Sequence, residues 1–348
     1  MRKTIQMGFV AAVLGIQFLQ AGEITKTEEK TFPMAAGGSV SIQADEGGIT
    51  VQTWDKSDVF ISVTKKAWSK RRNQAEKILD KIRVDMIFDG NRLTVREPED
   101  KRRKGSDFSD LFHGDWSRDG EGYSVDYSLK VPRGVDVRAE ADEGDIACSG
   151  TSGSLDLFTD EGEIRAESVD LREGRFESDE GEIRLRDARC SGVLVLNADE
   201  GEIHLQDTRC SGTLTVEVDE GEIRIVDSRL DDLTASTDEG TVILKNVQSK
   251  KFSISADEGD VEADFTPDPS GSYEIETDEG EVRIWVPENA SLQVDFETEG
   301  GRTDSDFHLS RRETDSGDTM TGRIGDGGGT LRVTAGEGDI ALRKKRIQ

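Results

Sequence analysis

The sequence predicts an all-β fold: a single-stranded parallel β-solenoid (β-helix) of about 20-residue rungs with a small α/β N-terminal cap. Three observations predict it. Asp-Glu-Gly occurs nine times in 348 residues, and eight copies, beginning at Asp142, Asp160, Asp179, Asp199, Asp219, Asp238, Asp257 and Asp278, follow one another at steps of 18 to 21 residues. Apolar or small residues alternate on both sides of the motif, as in Leu194, Leu196 and Ala198 before Asp199, and Ile203 and Leu205 after it. Period-two patterning around a Gly reads as strand, turn, strand. Finally, one turn recurs with one chemistry. Antiparallel hairpins would vary their turns, whereas rungs laid on one another repeat them and stack equivalent residues in columns ~4.8 Å apart. One rung cannot bury its own apolar face; a stack of rungs buries a continuous core.

The elements follow in order along the chain. Residues 1–21 read as a secretory signal peptide: Arg2 and Lys3, a mostly apolar run from Met7 to Leu19, then Ala21 before an expected cut at Gly22. That run is too short for a comfortable membrane span, so no transmembrane span is expected after cleavage. Residues 22–134 hold a first rung and the cap. Val40, Ile42 and Ala44 lead into Asp45-Glu46-Gly47-Gly48, then Ile49 and Val51. A strand is expected at 58–64, an amphipathic helix at about 68–82 with Trp68, Ala75, Leu79 and Ile82 on one face, and strands at 83–88 and 92–96. Such a cap protects open strand edges and the end of the core. Residues 97–122 read as a flexible loop. Its Lys101-Arg102-Arg103-Lys104 cluster, with Phe108, Leu111, Phe112 and Trp116 after it, either folds back on its own domain or docks on a partner or an anionic membrane surface. Residues 135–301 are the acidic repeats. Residues 302–348 are a C-terminal rung or cap ending in Gly336-Glu337-Gly338-Asp339-Ile340.

Each repeat position has an expected role. Asp160, Asp179, Asp199, Asp219 and Asp238 cap their own turns through an Asx-type hydrogen bond, and Gly162, Gly181, Gly201, Gly221 and Gly240 supply the positive φ. The Glu between them (Glu143, Glu161, Glu180, Glu200, Glu220, Glu239, Glu258, Glu279) points into water. Three residues after the Asp there is usually an acid (Asp145, Glu163, Glu182, Glu202, Glu222, Asp260, Glu281), and two further on often a base: Arg165, Arg184, His204, Arg224, Arg283. These columns form a surface salt-bridge ladder, each exposed pair contributing ~0.2–1 kcal/mol. Cys190 and Cys210 share the repeat position that Leu171 and Leu230 hold in flanking rungs, and read as small core hydrophobes. An inter-rung disulfide is the alternative in an oxidising compartment, although parallel side-chain vectors make poor bridge geometry. Cys148 lies at another position and is left unpaired; no CxxC or Cys/His cluster points to zinc.

The formal charge is −28, and residues 135–301 carry 45 acids against 14 Lys or Arg. Nucleic acid is therefore excluded as a partner for the repeats, because phosphates would be repelled. Cations, basic proteins and basic surfaces fit better. Residues 64–104 have the opposite balance, 14 Lys or Arg against 7 acids.

With these features together, the chain resembles the bacterial putative-adhesin group of exported β-solenoid domains of unknown function, related to LiaG-like and YvlB-like envelope proteins. The resemblance rests on the early rung and the helix near 68–82. It rests also on the strand from Tyr123 to Pro132 ending Val131-Pro132-Arg133-Gly134, the Gly–acid–Ile rungs, and the closing Thr321-Gly322-Arg323-Ile324-Gly325-Asp326-Gly327. It covers nearly all of 32–343. Members more often have Ser, Thr or Asn before the rung Gly, so Asp-Glu makes this one unusually acidic. The resemblance implies adhesion and transfers no catalytic residues.

Three functions compete. The first is a non-catalytic, adhesin-like scaffold, exported to the periplasm, cell surface or medium, that binds a protein, a glycan or an envelope surface. The second is a calcium-binding repeat protein whose eight ladder glutamates hold the ion; stacked carboxylates repel by ~1 kcal/mol per pair in water, which a hard cation would relieve. Against it, the motif lacks the glycine-rich nonapeptide of calcium β-rolls, and flexible Glu side chains can splay apart. The third is a carbohydrate-active β-helix enzyme. Glycoside hydrolysis needs one distinct carboxylate pair, and here the same carboxylates recur on every rung. No cofactor is expected beyond calcium.

Overall fold

The computed structural model describes residues 15–20, 22–98, 120–314 and 317–345. The expected signal segment, apart from 15–20, and the 101–116 basic–apolar segment lie outside these residues. The described chain is all-β with one short helix, and its strand pairing is mixed, parallel through the repeats and antiparallel around them. It divides into two compact units, one up to Glu161 and one from Gly162.

In the first unit, Glu23–Pro33 pairs antiparallel with Asp58–Trp68, which pairs antiparallel with Gly122–Pro132. Gly15–Gln20 pairs antiparallel with the start of Glu23–Pro33. The helix Arg72–Leu79 packs on this sheet through Ala75, Ile78 and Leu79 against Ile24 and Ala67. It is shorter than the 68–82 expected: Trp68 belongs to Asp58–Trp68, which pairs on both sides, and the Ser69 amide donates to the Gly22 carbonyl at 3.0 Å. Lys65, which reads as polar in sequence, is buried there with its ammonium on Glu28 and the Ile82 carbonyl, 3.3 and 3.2 Å away. Trp68 ends that strand and is exposed instead of lying on the helix's apolar face.

The same unit contains parallel rungs. Ser39–Glu46 lies between Arg92–Arg96 and Asp136–Glu143, parallel to both, and Asp136–Glu143 continues to Leu155–Glu161. Ile49–Trp54 lies between Ile146–Ser149 and the second half of Gly122–Pro132. The isolated ninth Asp-Glu-Gly copy therefore stacks in register: Ala44 faces Ala141 and Glu46 faces Glu143. The insertion after Trp54 supplies both strands that cover the far edges of this rung, which removes open edges that could recruit another chain.

In the second unit, Gly174–Arg186, Val193–Gln206, Arg209–Val226 and Arg229–Glu258 stack in parallel, so that Ile183, Ile203, Ile223 and Val242 form one buried column. Leu194, Leu214 and Leu233 form another. In these rungs the Gly does not break the strand; pairing runs through it, Gly181 to Gly201 to Gly221 to Gly240. The turn expected there is a bend within a continuous strand.

The order of rungs at the C-terminal side differs from chain order. Val261–Glu279 pairs with Gly329–Glu337, and Leu292–Thr298 lies on the other side of that strand. The last rung in sequence is thus inserted between the two that precede it. The hairpin Ser310–Thr314 and Gly317–Ile324 covers Leu292–Thr298 antiparallel. Its anchor is Asp318, 1% exposed, whose Oδ2 accepts from the Thr303 amide at 2.8 Å and from Arg311 Nε at 2.6 Å. Burial alone would raise its carboxyl; these hydrogen bonds outweigh it and hold the pKa below the usual carboxylate value.

Candidate functional site: the carboxylate columns

The bend that carries Asp-Glu-Gly has its apolar sides buried and its acids outside. Glu143, Glu161, Glu180, Glu200, Glu220, Glu239, Glu258 and Glu279 are all exposed, as is the Asp before each. Register aligns Glu46 with Glu143 and Glu143 with Glu161 in the first unit. In the second it aligns Glu180, Glu200, Glu220 and Glu239, and separately Glu258, Glu279 and Glu337. Among the described residues, these eight glutamates carry no side-chain hydrogen bond or ion pair.

The glycines are fixed by contact as much as by conformation. Gly201 has φ +150°, and a Cβ placed on it would sit 1.8 Å from the Gly181 carbonyl oxygen. Gly162, Gly181, Gly221 and Gly240 have the same positive φ. The Asx caps expected of Asp160, Asp179, Asp199, Asp219 and Asp238 do not form; those side chains lie outside the bend, in solvent. The inward residue just before the Asp does that work where it can. Thr159 Oγ1 donates to the Gly144 carbonyl at 3.1 Å, Ser178 Oγ to Gly162 at 3.3 Å and Thr277 Oγ1 to Gly259 at 3.3 Å.

Sequence reasoning missed a second corner. Ser168, Asp187, Asp207, Asp227 and Asn246 adopt φ of 47–54°, the left-handed region that short polar side chains tolerate best. The recurrent Asp-X-Arg at 187, 207 and 227 is its signal. Asn246 Nδ2 donates to Asp227 Oδ1 at 2.7 Å, tying adjacent corners.

Beside the ladder runs the paired acid–base face. Arg165 binds Glu163; Arg184 spans Glu163, at 2.6 Å, and Glu182; Arg224 Nε lies 2.6 Å from Glu222 Oε1; Arg283 binds Glu281 and reaches Glu262 at 3.3 Å. The carboxylates hold the Arg184, Arg224 and Arg283 guanidiniums charged, with pKa values above the ordinary one; burial, which opposes this, leads for Arg184 and Arg283 and is outweighed. His204 occupies this base column and faces three acids: Nδ1 is 3.3 Å from Glu182 Oε1, and Nε2 is 3.3 Å from Glu202 Oε2 and 3.6 Å from Glu222 Oε1.

Cys190 and Cys210 are buried register partners and both are free thiols, as is Cys148. The Cys210 thiol donates to the Cys190 sulfur, which lowers the first ionisation of the pair and raises the second. Cys148 is pushed up to about 12 by burial. Glu97 is raised to about 7, first by burial and then by the Asp45 carboxylate; its Oε1 accepts from the buried Tyr127 hydroxyl at 3.3 Å. A hollow of about 350 Å³ in the first unit is lined by Ser39, Ser41, Arg92, Asp136, Arg138 and Asp156 among others, with no His or Cys. No helix among the described residues is long and apolar enough to cross a membrane.

The family model described as Toastrack DUF4097 matches residues 23–226 and again 177–343. No curated protein matches. Among solved structures, the chain is similar to a putative cell adhesion protein from Clostridium sporogenes, at 10% identity and TM-score 0.18 over 92% of this chain and 100% of that one. It is also similar to a putative adhesin from Bacteroides fragilis, at 12% identity and TM-score 0.32 over 91% and 96%. A third is a putative lipid binding protein from Parabacteroides distasonis, at 14% identity and TM-score 0.36 over 75% and 93%.

Proposed function

The chain belongs to the Toastrack DUF4097 family, and from that premise we propose that it is a non-catalytic, adhesin-like scaffold of parallel β-solenoid rungs, exported to the envelope or medium, whose exposed acids bind a basic protein or envelope surface. The observation that supports this reading most is the register itself. Strand pairing holds Glu180, Glu200, Glu220 and Glu239 in one exposed line with no partner of their own. A line of like charges on a rigid sheet is a strong local field, and such fields steer basic partners. Catalysis fits poorly for the ladder, since its glutamates recur from rung to rung and none of them is set apart by an adjacent nucleophile or acid–base partner. The basic, apolar and small-residue succession of residues 1–21 supports the export part of this reading.

The test is adsorption of the purified full chain to isolated cell envelopes, compared with a variant carrying Glu180→Gln, Glu200→Gln, Glu220→Gln and Glu239→Gln. Saturable adsorption that weakens with salt and is lost in the variant is expected. Equal adsorption of both proteins would move the binding surface off the ladder. The competing reading, calcium held along the same eight glutamates, draws on the same register and is separated by titration with the ion.

A further inference from the structure

We propose that Glu182, Glu202 and His204 form a site for a first-row divalent transition metal, with zinc as its simplest occupant. The base column gives the first reason. On four rungs an Arg covers the acid two residues before it: Arg165 on Glu163, Arg184 on Glu182, Arg224 on Glu222, Arg283 on Glu281. Ala147, Ile243 and Glu262 hold that position on other rungs; on one rung His204 holds it, and Glu202 has no arginine of its own rung. The neighbouring guanidiniums are committed to Glu163, Glu182 and Glu222. Three carboxylates, Glu182, Glu202 and Glu222, therefore surround one imidazole between two arginines, and one positive charge is missing from the pattern.

The donor atoms give the second reason. Glu182 Oε1 and His204 Nε2 are shielded from solvent and have no hydrogen-bond partner. Arg184 takes the other oxygen, Oε2, of Glu182, leaving Oε1 available on the His204 side. The two imidazole–carboxylate separations of 3.3 Å are long for charge-assisted hydrogen bonds. An ion takes one imidazole nitrogen, and from Nε2 the 3.3 Å to Glu202 Oε2 matches the edge of a tetrahedron around an ion with bonds of about 2.1 Å, roughly 3.4 Å. One ligand atom from each of Glu182, Glu202 and His204 lies within 4.8 Å of the others. Glu202, the most exposed of the three, has the freedom to close the remaining distance. One nitrogen and two carboxylate oxygens suit zinc and its neighbours better than calcium, which takes oxygen alone. Three protein ligands leave a position for water, the pattern of an open site. This site is separate from the ladder glutamates.

The test is zinc titration of the full chain, reduced and stripped of metal, in about 0.15 M salt with excess calcium to occupy nonspecific carboxylates, followed by calorimetry and by melting temperature. The comparison is His204→Arg, which restores the residue of the flanking rungs and so preserves folding, together with Glu202→Gln. One saturable zinc equivalent that raises the melting temperature is expected. Both variants should bind at least about tenfold more weakly, more than the loss of an orienting neighbour alone gives at its low end. His204→Arg should melt above the metal-free parent, because it fills the missing charge. A Cys190→Ser, Cys210→Ser variant should retain the site. Absence of saturable zinc binding, binding unchanged in His204→Arg, or binding lost only in the cysteine variant would each overturn the proposal.

Discussion

Glu97 shows what a single residue can carry that the sequence conceals. It follows Arg92–Arg96, whose pairing with Ser39–Gln43 brings it to Asp45 and to the buried Tyr127 hydroxyl. A glutamate whose pKa rises from 4.5 to about 7 on folding is disfavoured in its charged form. Its contribution to stability is therefore full below pH 4.5 and is lost as pH rises through 7. Glu97→Gln keeps the acceptor oxygen and removes the charge. We expect it to stabilise the protein at pH 8 by roughly 1–2 kcal/mol, discounted for partial exposure, and to leave it unchanged at pH 4. Melting curves of both proteins across this range would decide; a destabilised variant at pH 8 would refute the assignment. Nothing around Glu97 in the sequence marks it, because its perturbing partners come from distant segments. His204 was half legible: its place in the base column beside the acids was visible, but not that both ring nitrogens face carboxylates, Glu182 on one side and Glu202 and Glu222 on the other.

The element that repeats, the rung, was largely legible. Alternation around Asp-Glu-Gly placed Ile203, Leu205, Leu194 and Leu196 in the core, and all are buried. Less legible was why the glycine is needed. Positive φ could be inferred from residue type, but that a Cβ here would meet the Gly181 carbonyl oxygen of the adjacent rung at 1.8 Å appears only when strands are stacked. Two penalties should therefore add in Gly201→Ala, backbone conformation and overpacking against a carbonyl, for roughly 2–4 kcal/mol. Gly90→Ala is the control: φ is also positive, at +65°, but a Cβ there meets nothing within 4 Å, and the cost should be about 1 kcal/mol. Equal losses in chemical denaturation would mean that the stack does not press on this position. The inserted order of the C-terminal rungs was illegible for a related reason. Leu292–Thr298 and Gly329–Glu337 have the same alternation, and pattern alone does not say which lies against Val261–Glu279. The Asx caps failed because the bend faces the Asp outward, giving the capping role to Thr159, Ser178 and Thr277 one residue earlier.

For the whole molecule, the dominant fact is charge: −28 overall, with the surplus of acids concentrated in the repeats. Its distribution divides into two kinds. Glu163, Glu182, Glu222 and Glu281 at the third repeat position are answered by arginine, while the ladder glutamates face solvent. We read the unanswered column as the surface for recognition, and exposed Glu side chains can splay to relieve repulsion without a bound ion. Calorimetric titration of calcium into chelator-stripped full chain, in about 0.15 M salt, separates this from the metal-ladder reading. No saturable heat and an unchanged melting temperature are expected. Saturable binding at several sites with a raised melting temperature would contradict the recognition reading and make the Asp-Glu-Gly column a calcium-dependent support.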